Sequence, residues 1–217
     1  GEIKLAFSKL PAGFHITPPL TIEAGQTTAY GAVTADANAP DPASEDSRML
    51  KVTASALVDG KMVRQKAMKV AEIKLAPAPK LLVHVLPSTA AHQRPHENST
   101  SELVIAPGET IAATLKVERN GFDGDIKFGG EHAGRNLPHG VYIDNIGLNG
   151  VTLLKGESER TIYITARKWV PEQTRPFHLQ AEEAGKQTSW PILIRVRNRA
   201  VAPAPASESV ATTPVAN

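Results

Sequence analysis

The chain repeats itself, and this repetition limits what it can fold into more than any other feature of the sequence. Gly1–Leu5 and Leu10–Phe14 recur as Gly124–Phe128 and Leu137–Val141. Further landmarks keep an offset of 131 residues, namely Gly25 with Gly156, Thr34-Ala35 with Thr165-Ala166, and Pro40 with Pro171. After small insertions or deletions, Ala54 and Gly60-Lys61 match Ala181 and Gly185-Lys186. We infer two copies of one domain.

The two copies differ in extent. We assign residues 1–76 to the first and residues 80–198 to the second, whose opening segment, 80–123, has no counterpart in the first. We therefore expect the first copy to be N-terminally incomplete and the less stable half, because missing strands would leave its sheet edges and core uncovered. The Pro-rich segment 77–79 predicts a short extended linker. Residues 199–217, rich in Ala, Pro, Ser and Thr, predict a disordered tail.

Apolar and polar residues alternate with period two in the second copy, which is typical of half-buried antiparallel strands. The pattern predicts strands at Leu81–Leu86, Glu102–Ile105, Thr110–Glu118, Gly124–Phe128, Val141–Ile143, Arg160–Ala166, Phe177–Glu182 and Trp190–Arg197. It places Trp190 towards the core and His178 towards solvent. No segment has the pattern of an amphipathic helix. Because many short strands need two facing sheets, we predict an all-β fold of tandem immunoglobulin-like β-sandwiches.

The Gly-[Glu/Asp]-Ile-Lys segments and the Leu-Pro-x-Gly-[Phe/Val] turns resemble a known group of repeats. They are similar to the bacterial immunoglobulin-like and pre-peptidase C-terminal-type β-sandwich repeats of large secreted proteins. The strand ending Ile162-Tyr163-Ile164-Thr165-Ala166 fits the same resemblance. The resemblance implies a non-catalytic accessory module, exported and lying beside the catalytic or adhesive domains of a longer polypeptide.

Composition excludes several classes of protein. The net charge is only +2 and the basic residues are scattered along the strands, which argues against a nucleic-acid partner. No apolar run is long enough to span a bilayer. The absence of cysteine removes disulfides, thiolate nucleophiles and cysteine metal sites. No nucleophile elbow, phosphate-binding loop or zinc-protease helix motif is present, so we expect no enzymatic activity.

Histidines and acidic residues are the candidate metal ligands of this sequence. His92 and His96 have the spacing of two ligands on one helical face, but Pro95 forbids that helix, and His84, His132, His139 and His178 are dispersed. Calcium has a better case, because it binds carboxylates that converge from loops. Its candidate ligands are Asp36, Asp41, Glu45 and Asp46 in the long surface loop 36–47, with Asp123 and Asp125 in a turn. The alternative is that these acids bond the local backbone, as Asp does in turns. We expect no bound cofactor, with calcium as the alternative.

A carbohydrate site is the main functional alternative. Tyr163 is predicted to face outward, Trp169 follows in a loop, and Arg167 lies between them, so these three residues form a candidate glycan platform. The positions equivalent to Tyr163 and Trp169 in the first copy are Ala32 and Asn38, so the duplicate lacks both rings.

These patterns together predict an accessory module that spaces or docks neighbouring domains of a secreted, periplasmic or cell-surface bacterial protein. Its expected partners are those neighbouring domains, with cell-surface polysaccharide as the alternative partner. A carbohydrate-binding module of an extracellular enzyme is the alternative function.

Overall fold

The computed structural model of the chain describes residues 1–66, 72–88, 101–144 and 150–198. We call residues 1–76 the first unit and residues 80–198 the second unit. The strands of the first unit are β1 (Ile3–Ser8), β2 (Phe14–Ile16), β3 (Leu20–Ile22), β4 (Val33–Ala35), β5 (Lys51–Val58) and β6 (Lys61–Lys66). Those of the second unit are β7 (Leu81–Pro87), β8 (Glu102–Ile105), β9 (Thr110–Arg119), β10 (Ile126–Phe128), β11 (Val141–Ile143), β12 (Val151–Leu153), β13 (Glu159–Ala166), β14 (Gln173–Phe177) and β15 (Ile192–Val196).

Helical structure in the described residues is limited to short 3-10 turns such as Asp46–Arg48 and Gly130–His132. The prediction of an all-β fold is therefore confirmed. Across those same residues, no helix has the length and apolar character that crossing a membrane requires.

The second unit is a β-sandwich. One sheet has the strand order β11-β13-β9-β7, the other has the order β14-β15-β8, and β10 pairs with β12 beside them. Every one of these strands contributes side chains to a single buried core, in which Phe128 and Phe177 are fully enclosed. The alternation seen in the sequence arises because each strand turns one face to this core and the other to solvent.

The first unit has a thinner core. Its main sheet has the order β3-β1-β5-β6, and β2 pairs with β4. The buried apolar side chains that the structure describes there are Phe14, Leu20, Ala32 and Ile73, whereas all members of the large core cluster belong to the second unit. β6 is exposed to solvent along its whole length, and β5 is exposed at Leu57 and Val58, where the two strands form the tip of a hairpin.

Equivalent positions of the two units form the same strand pairs. Ile3 pairs with Ile22 in the first unit, and Ile126 pairs with Leu153 in the second. In the same way Phe14 pairs with Ala35, and Val141 pairs with Ala166. Both registers agree, residue for residue, with the correspondence seen in the sequence.

The recurring Leu-Pro-x-Gly motif is a tight turn in both units. The N–H of Phe14 donates to the carbonyl of Pro11 at 3.1 Å, and the N–H of Val141 donates to the carbonyl of Pro138 at 2.8 Å. The glycine in the fourth position has a positive φ in each case, 76° at Gly13 and 88° at Gly140. A residue with a side chain is strained there, which explains why the motif keeps glycine.

Two sequence predictions fail in the last hairpin. The strand predicted at Phe177–Glu182 is displaced to Gln173–Phe177, and that predicted at Trp190–Arg197 is shortened to Ile192–Val196. Trp190 lies outside the strand and is only partly buried.

His178 was predicted to face solvent and is instead only 4% exposed. His178 lies one residue beyond β14 and pairs with the segment that precedes β11: the backbone of Arg135 exchanges hydrogen bonds of 2.8 and 3.1 Å with the backbone of His178. Alternation within one strand carries no information about pairing with a distant segment, so the sequence pattern could not reveal this burial.

Several predictions fall on parts of the chain that the structure does not describe. His92, His96 and the tail 199–217 lie outside the described residues. The loop between β4 and β5 is described and contains no strand, and its residue Ser47 is buried.

Burial of His178 makes the stability of the second unit depend on pH. Burial, reinforced by the nearby charge of Arg135, lowers the pKa of His178 from 6.5 to about 4. Between these two values the unfolded chain binds a proton at this position and the folded chain does not. The free energy of unfolding is therefore highest above about pH 6.5. As the pH falls towards 4, the titration of His178 lowers it by about 3 kcal/mol.

We expect urea denaturation between about pH 7 and pH 4.5 to record this loss, and His178→Gln to flatten the slope of stability against pH. His139→Gln, at an exposed histidine, is the control and should leave the slope unchanged. An unaltered slope in the His178 variant would contradict the assignment.

Candidate functional site

The two units meet at a polar junction centred on Arg175. No β-ladder among the described residues joins one unit to the other; side chains make the connection. We define the junction by Glu23 and Tyr30 of the first unit and by Arg135, Asn136 and Arg175 of the second. Arg175 lies on β14, where it pairs with Ile194 of β15, so its backbone is fixed within the sandwich.

The guanidinium of Arg175 binds the first unit directly. Its Nη1 lies 2.6 Å from Oε1 of Glu23, and its Nη2 donates to the backbone carbonyl of Thr21 at 2.7 Å. The two side chains are only 6% and 16% exposed. An arginine stays charged when it is buried, so this position needs a carboxylate from the opposite unit.

Asn136 bridges the same two units. Its Oδ1 accepts hydrogen bonds from Nη2 of Arg175 at 2.7 Å and from the backbone N–H of Tyr30 at 3.3 Å. Its Nδ2 donates to the carbonyl of Pro176 at 2.7 Å. Asn136 has a φ of 67°, a left-handed conformation that asparagine tolerates better than most residues.

Glu23 and Tyr30 receive further contacts from the second unit. The backbone N–H of His139 donates to the Glu23 carboxylate at 3.0 and 3.2 Å. The guanidinium of Arg135 lies 4.3 Å from the centre of the Tyr30 ring, within the range of a cation–π interaction. Both oxygens of Glu23 are therefore engaged by donors of the second unit.

A cleft of about 180 Å³ lies between the units at this junction. It is lined by Glu23, Gln26, Thr28, Tyr30, Asn136, Leu137, His139 and Arg175. The Leu-Pro-x-Gly turn of the second unit forms one wall, so a motif that serves as a local turn in both units also contacts the neighbouring unit in the second.

The predicted glycan platform lies on the outer face of the β11-β13-β9 sheet. Tyr163 is 47% exposed and Trp169 is 59% exposed. The backbone N–H of Arg167 donates to the carbonyl of Gly140 at 2.9 Å, which continues the β11–β13 ladder and keeps Arg167 on the same face as Tyr163. The guanidinium of Arg167 lies 5.2 Å from the centre of the Tyr142 ring.

Sequence reasoning missed two members of this face, Tyr142 and His139. Tyr142 pairs with Thr165 and therefore lies diagonally from Tyr163, within reach of a shared ligand. The His139 ring lies 5.2 Å from the Trp169 ring, tilted by 46°. The alternation Val141-Tyr142-Ile143 already indicated an outward Tyr142. The contact of His139 with Trp169 depends on the pairing of the segments around Gly140 and Arg167, which the sequence does not reveal.

Gly140 determines where the Trp169 ring can lie. A Cβ added at this glycine would be 2.5 Å from Cη2 of Trp169. The edge of the ring therefore packs against the turn because the turn has no side chain at this point. We call Tyr142, Tyr163, Arg167, Trp169 and His139 the aromatic face.

The structure does not bring the candidate calcium ligands together. Oδ1 of Asp36 lies 3.0 Å from Nε2 of His15, Asp123 forms an ion pair with Lys155, and Asp125 accepts the backbone N–H of Lys155. In the described ranges no group of three or more histidine, aspartate or glutamate side chains is placed to hold a metal ion. The histidines that the structure describes form no such group either, and burial lowers the pKa of His84 on β7.

No family model matches the chain, and a search of curated proteins found no relative. Among solved structures, the chain is similar to domains 4 and 5 of the S-layer protein SbsC, with 16% identity and a TM-score of 0.29. The match covers 66% of this chain and 64% of that one, so the chain spans a little less than two thirds of that structure's length.

Arg175→Ala tests the energetic weight of the junction. The substitution leaves the Glu23 carboxylate buried without its ionic partner, and removing one partner of a buried pair costs about 3 kcal/mol or more. We expect a loss of this size in urea denaturation of the full chain. Glu2→Gln, which breaks the exposed Glu2–Lys4 pair, is the matched control and should change stability by less than about 0.5 kcal/mol. Equal losses in both variants would contradict a central role for Arg175.

Proposed function

We propose that the chain is a non-catalytic structural module that holds its two units in one orientation, and so spaces and orients the neighbouring domains of a longer polypeptide. The observation that carries this proposal is the junction around Arg175. A flexible tandem pair would leave its facing surfaces solvated, whereas here a guanidinium with 6% exposure is neutralised by a carboxylate of the other unit.

Two further features support a fixed orientation. The junction has several separate contacts, and those of Arg175 with Glu23 and of Arg135 with Tyr30 come from different segments of the second unit. Contacts at separate points oppose rotation as well as separation. The connecting residues 77–79 contain two prolines, which favour an extended and semi-rigid connection.

A structural role also fits the chemistry of the junction groups. Both oxygens of Glu23 accept hydrogen bonds, and Arg175 and Asn136 are engaged with backbone carbonyls. These side chains stabilise an interface and leave no obvious acid or base to act on a substrate. On the resemblance of the repeats to those of large secreted bacterial proteins, we place the module outside the cytoplasm, in the periplasm or at the cell surface.

Distance measurements between spin labels test the fixed orientation. Because the chain has no cysteine, Lys61→Cys on β6 and Glu159→Cys on β13 give one label in each unit without background. We expect a single narrow distance distribution in double electron–electron resonance. Adding Glu23→Ala should broaden it, since Arg175 then loses its partner across the junction.

The control for this measurement is Lys4→Ala, which breaks an exposed ion pair within the first unit and should leave the distribution narrow. A broad distribution in the labelled chain without further substitutions would overturn the proposal, because units that tumble independently cannot orient their neighbours.

Carbohydrate binding is the second candidate function, and the aromatic face is the observation that favours it. Tyr142, Tyr163 and Trp169 are all exposed, at 36%, 47% and 59%, on one outer region of the sandwich. Solvated aromatic rings next to polar groups suit the apolar faces and hydroxyls of sugars. The hydroxyls of Thr110 and Thr165 lie 2.7 Å apart on the same face, and Thr165 also donates to the Asp144 carboxylate.

Affinity electrophoresis in gels containing polysaccharide tests this second function. If the aromatic face binds a glycan, the chain is retarded, and Trp169→Ala or Tyr142→Ala abolishes the retardation because each removes a stacking surface. Val104→Ala, at an apolar residue of β8 that is 55% exposed, is the control and should remain retarded. Absence of retardation by neutral and acidic polysaccharides alike would leave the structural role alone.

A further inference from the structure

One face of the main sheet in the first unit combines positive charge with exposed apolar side chains. The register of β1, β5 and β6 places Lys4, Ser55 and Arg64 in one row across the sheet, and Thr53 and Lys66 in the next. Lys51 lies on the same face, two residues before Thr53 along β5. Because strands lie about 4.8 Å apart, Lys4 and Arg64 are separated by about 10 Å with a serine hydroxyl between them.

The same face carries two prominent apolar residues at the hairpin end. Leu57 and Met62 are paired across β5 and β6, and they are 63% and 61% exposed. These are the largest exposures among the large hydrophobic side chains that the structure describes. We call Lys4, Lys51, Leu57, Met62, Arg64 and Lys66 the basic face.

The charges of the basic face are largely uncompensated. Its acidic residue is Glu2, which lies 3.4 Å from Lys4. In the part of the chain that the structure describes, Lys51, Arg64 and Lys66 form no ion pair. Basic residues that are scattered along the sequence therefore come together in the fold, because three strands bring four of them to one surface.

The equivalent hairpin of the second unit has a different character. There the tip carries Glu182 and Glu183, whose carboxylates accept the backbone N–H groups of Gly129 and Lys127. That tip is acidic and folds back on its own unit. The tip of the first unit is apolar and projects into solvent, so the exposure of Leu57 and Met62 is not a general feature of this repeat.

We propose that the basic face docks on an anionic lipid surface. A flat sheet face can lie along the headgroups, with Lys4, Lys51, Arg64 and Lys66 near lipid phosphates and with Leu57 and Met62 in the apolar boundary beneath them. The combination of four cationic side chains with two exposed apolar ones favours a lipid surface over other anionic partners. An acidic polysaccharide or a nucleic acid could bind the four cations but would provide no apolar environment for Leu57 and Met62. A nucleic acid would also lack a stacking partner, because this face has no aromatic ring.

Alternate residues of β6 lie on opposite faces of the sheet, and this alternation supplies matched controls. Lys61 and Val63 lie on the same strand as Met62 and Arg64 but on the opposite face, and all of these residues are exposed. A role for the basic face therefore predicts that neighbouring substitutions of the same chemical kind have different effects.

Co-sedimentation of the full chain with vesicles tests the proposal. We expect binding to vesicles of equal parts phosphatidylcholine and phosphatidylglycerol, weakening as salt is raised, and no binding to phosphatidylcholine alone. Each cation near an anionic surface contributes about fivefold in affinity, so Arg64→Gln with Lys66→Gln should lower binding by about 25-fold. Leu57→Ser with Met62→Ser should also abolish most binding. Lys61→Gln and Val63→Ser should each leave it within about twofold of the parent chain, because neither residue touches the surface.

Several results would overturn the lipid assignment. These are failure to bind the mixed vesicles, or equal losses in the opposite-face controls. Retention by dextran sulfate that depends on Arg64 and Lys66 but ignores Leu57 and Met62 would assign the face to a polyanion instead. Self-association that Met62→Ser abolishes, without vesicle binding, would assign it to a second copy of this chain. Circular dichroism of each variant verifies that the β-structure is retained.

Discussion

A buried guanidinium lies at the centre of the polar junction that joins the two units of this protein. Arg175 extends from a strand of the second unit, is 6% exposed, and meets the Glu23 carboxylate and the Thr21 carbonyl of the first unit. A buried charge without a partner is strongly destabilising, so the second unit needs the first in this position. The first unit has few buried apolar side chains of its own among the described residues, so it gains proportionally more from the contact. Hydrophobic burial stabilises the sandwich of the second unit, and polar contacts orient the first unit against it.

The two units share their strand pairing and differ in their surfaces. Equivalent residues form the same ladders, and the Pro-x-Gly turns close with the same hydrogen bond. The aromatic face occurs in the second unit. In the first unit, the position equivalent to Tyr163 is occupied by the buried Ala32. The basic face occurs in the first unit. The equivalent hairpin of the second unit has an acidic tip at Glu182 and Glu183. Shared backbone geometry with divergent surfaces suits a scaffold on which separate binding properties can arise.

Local features of the fold were predictable from the sequence because local chemistry determines them. Strands such as Glu102–Ile105 and Val141–Ile143 match their predicted bounds, and a turn glycine at a positive φ is recognisable in any context. Long-range features were not predictable. His178 is buried where it pairs with Arg135, some forty residues earlier in the sequence, and Arg175 stands in the sequence as an ordinary charged residue beside a proline. Its partner, Glu23, lies 152 positions earlier, where nothing in the local pattern distinguishes it. The aromatic face lies between these cases, because the outward direction of Tyr163 follows from alternation, whereas the contact of Arg167 with Tyr142 requires the register of two strands.

Hydrogen exchange of the intact chain, with and without Arg175→Ala, tests the central claim most directly. If the junction stabilises the first unit, amides of β1, β3 and β5 exchange faster in the variant, while amides of β9 and β13 keep their protection because the sandwich core is untouched. Unchanged exchange in the first unit, or equal acceleration in both units, would contradict the account.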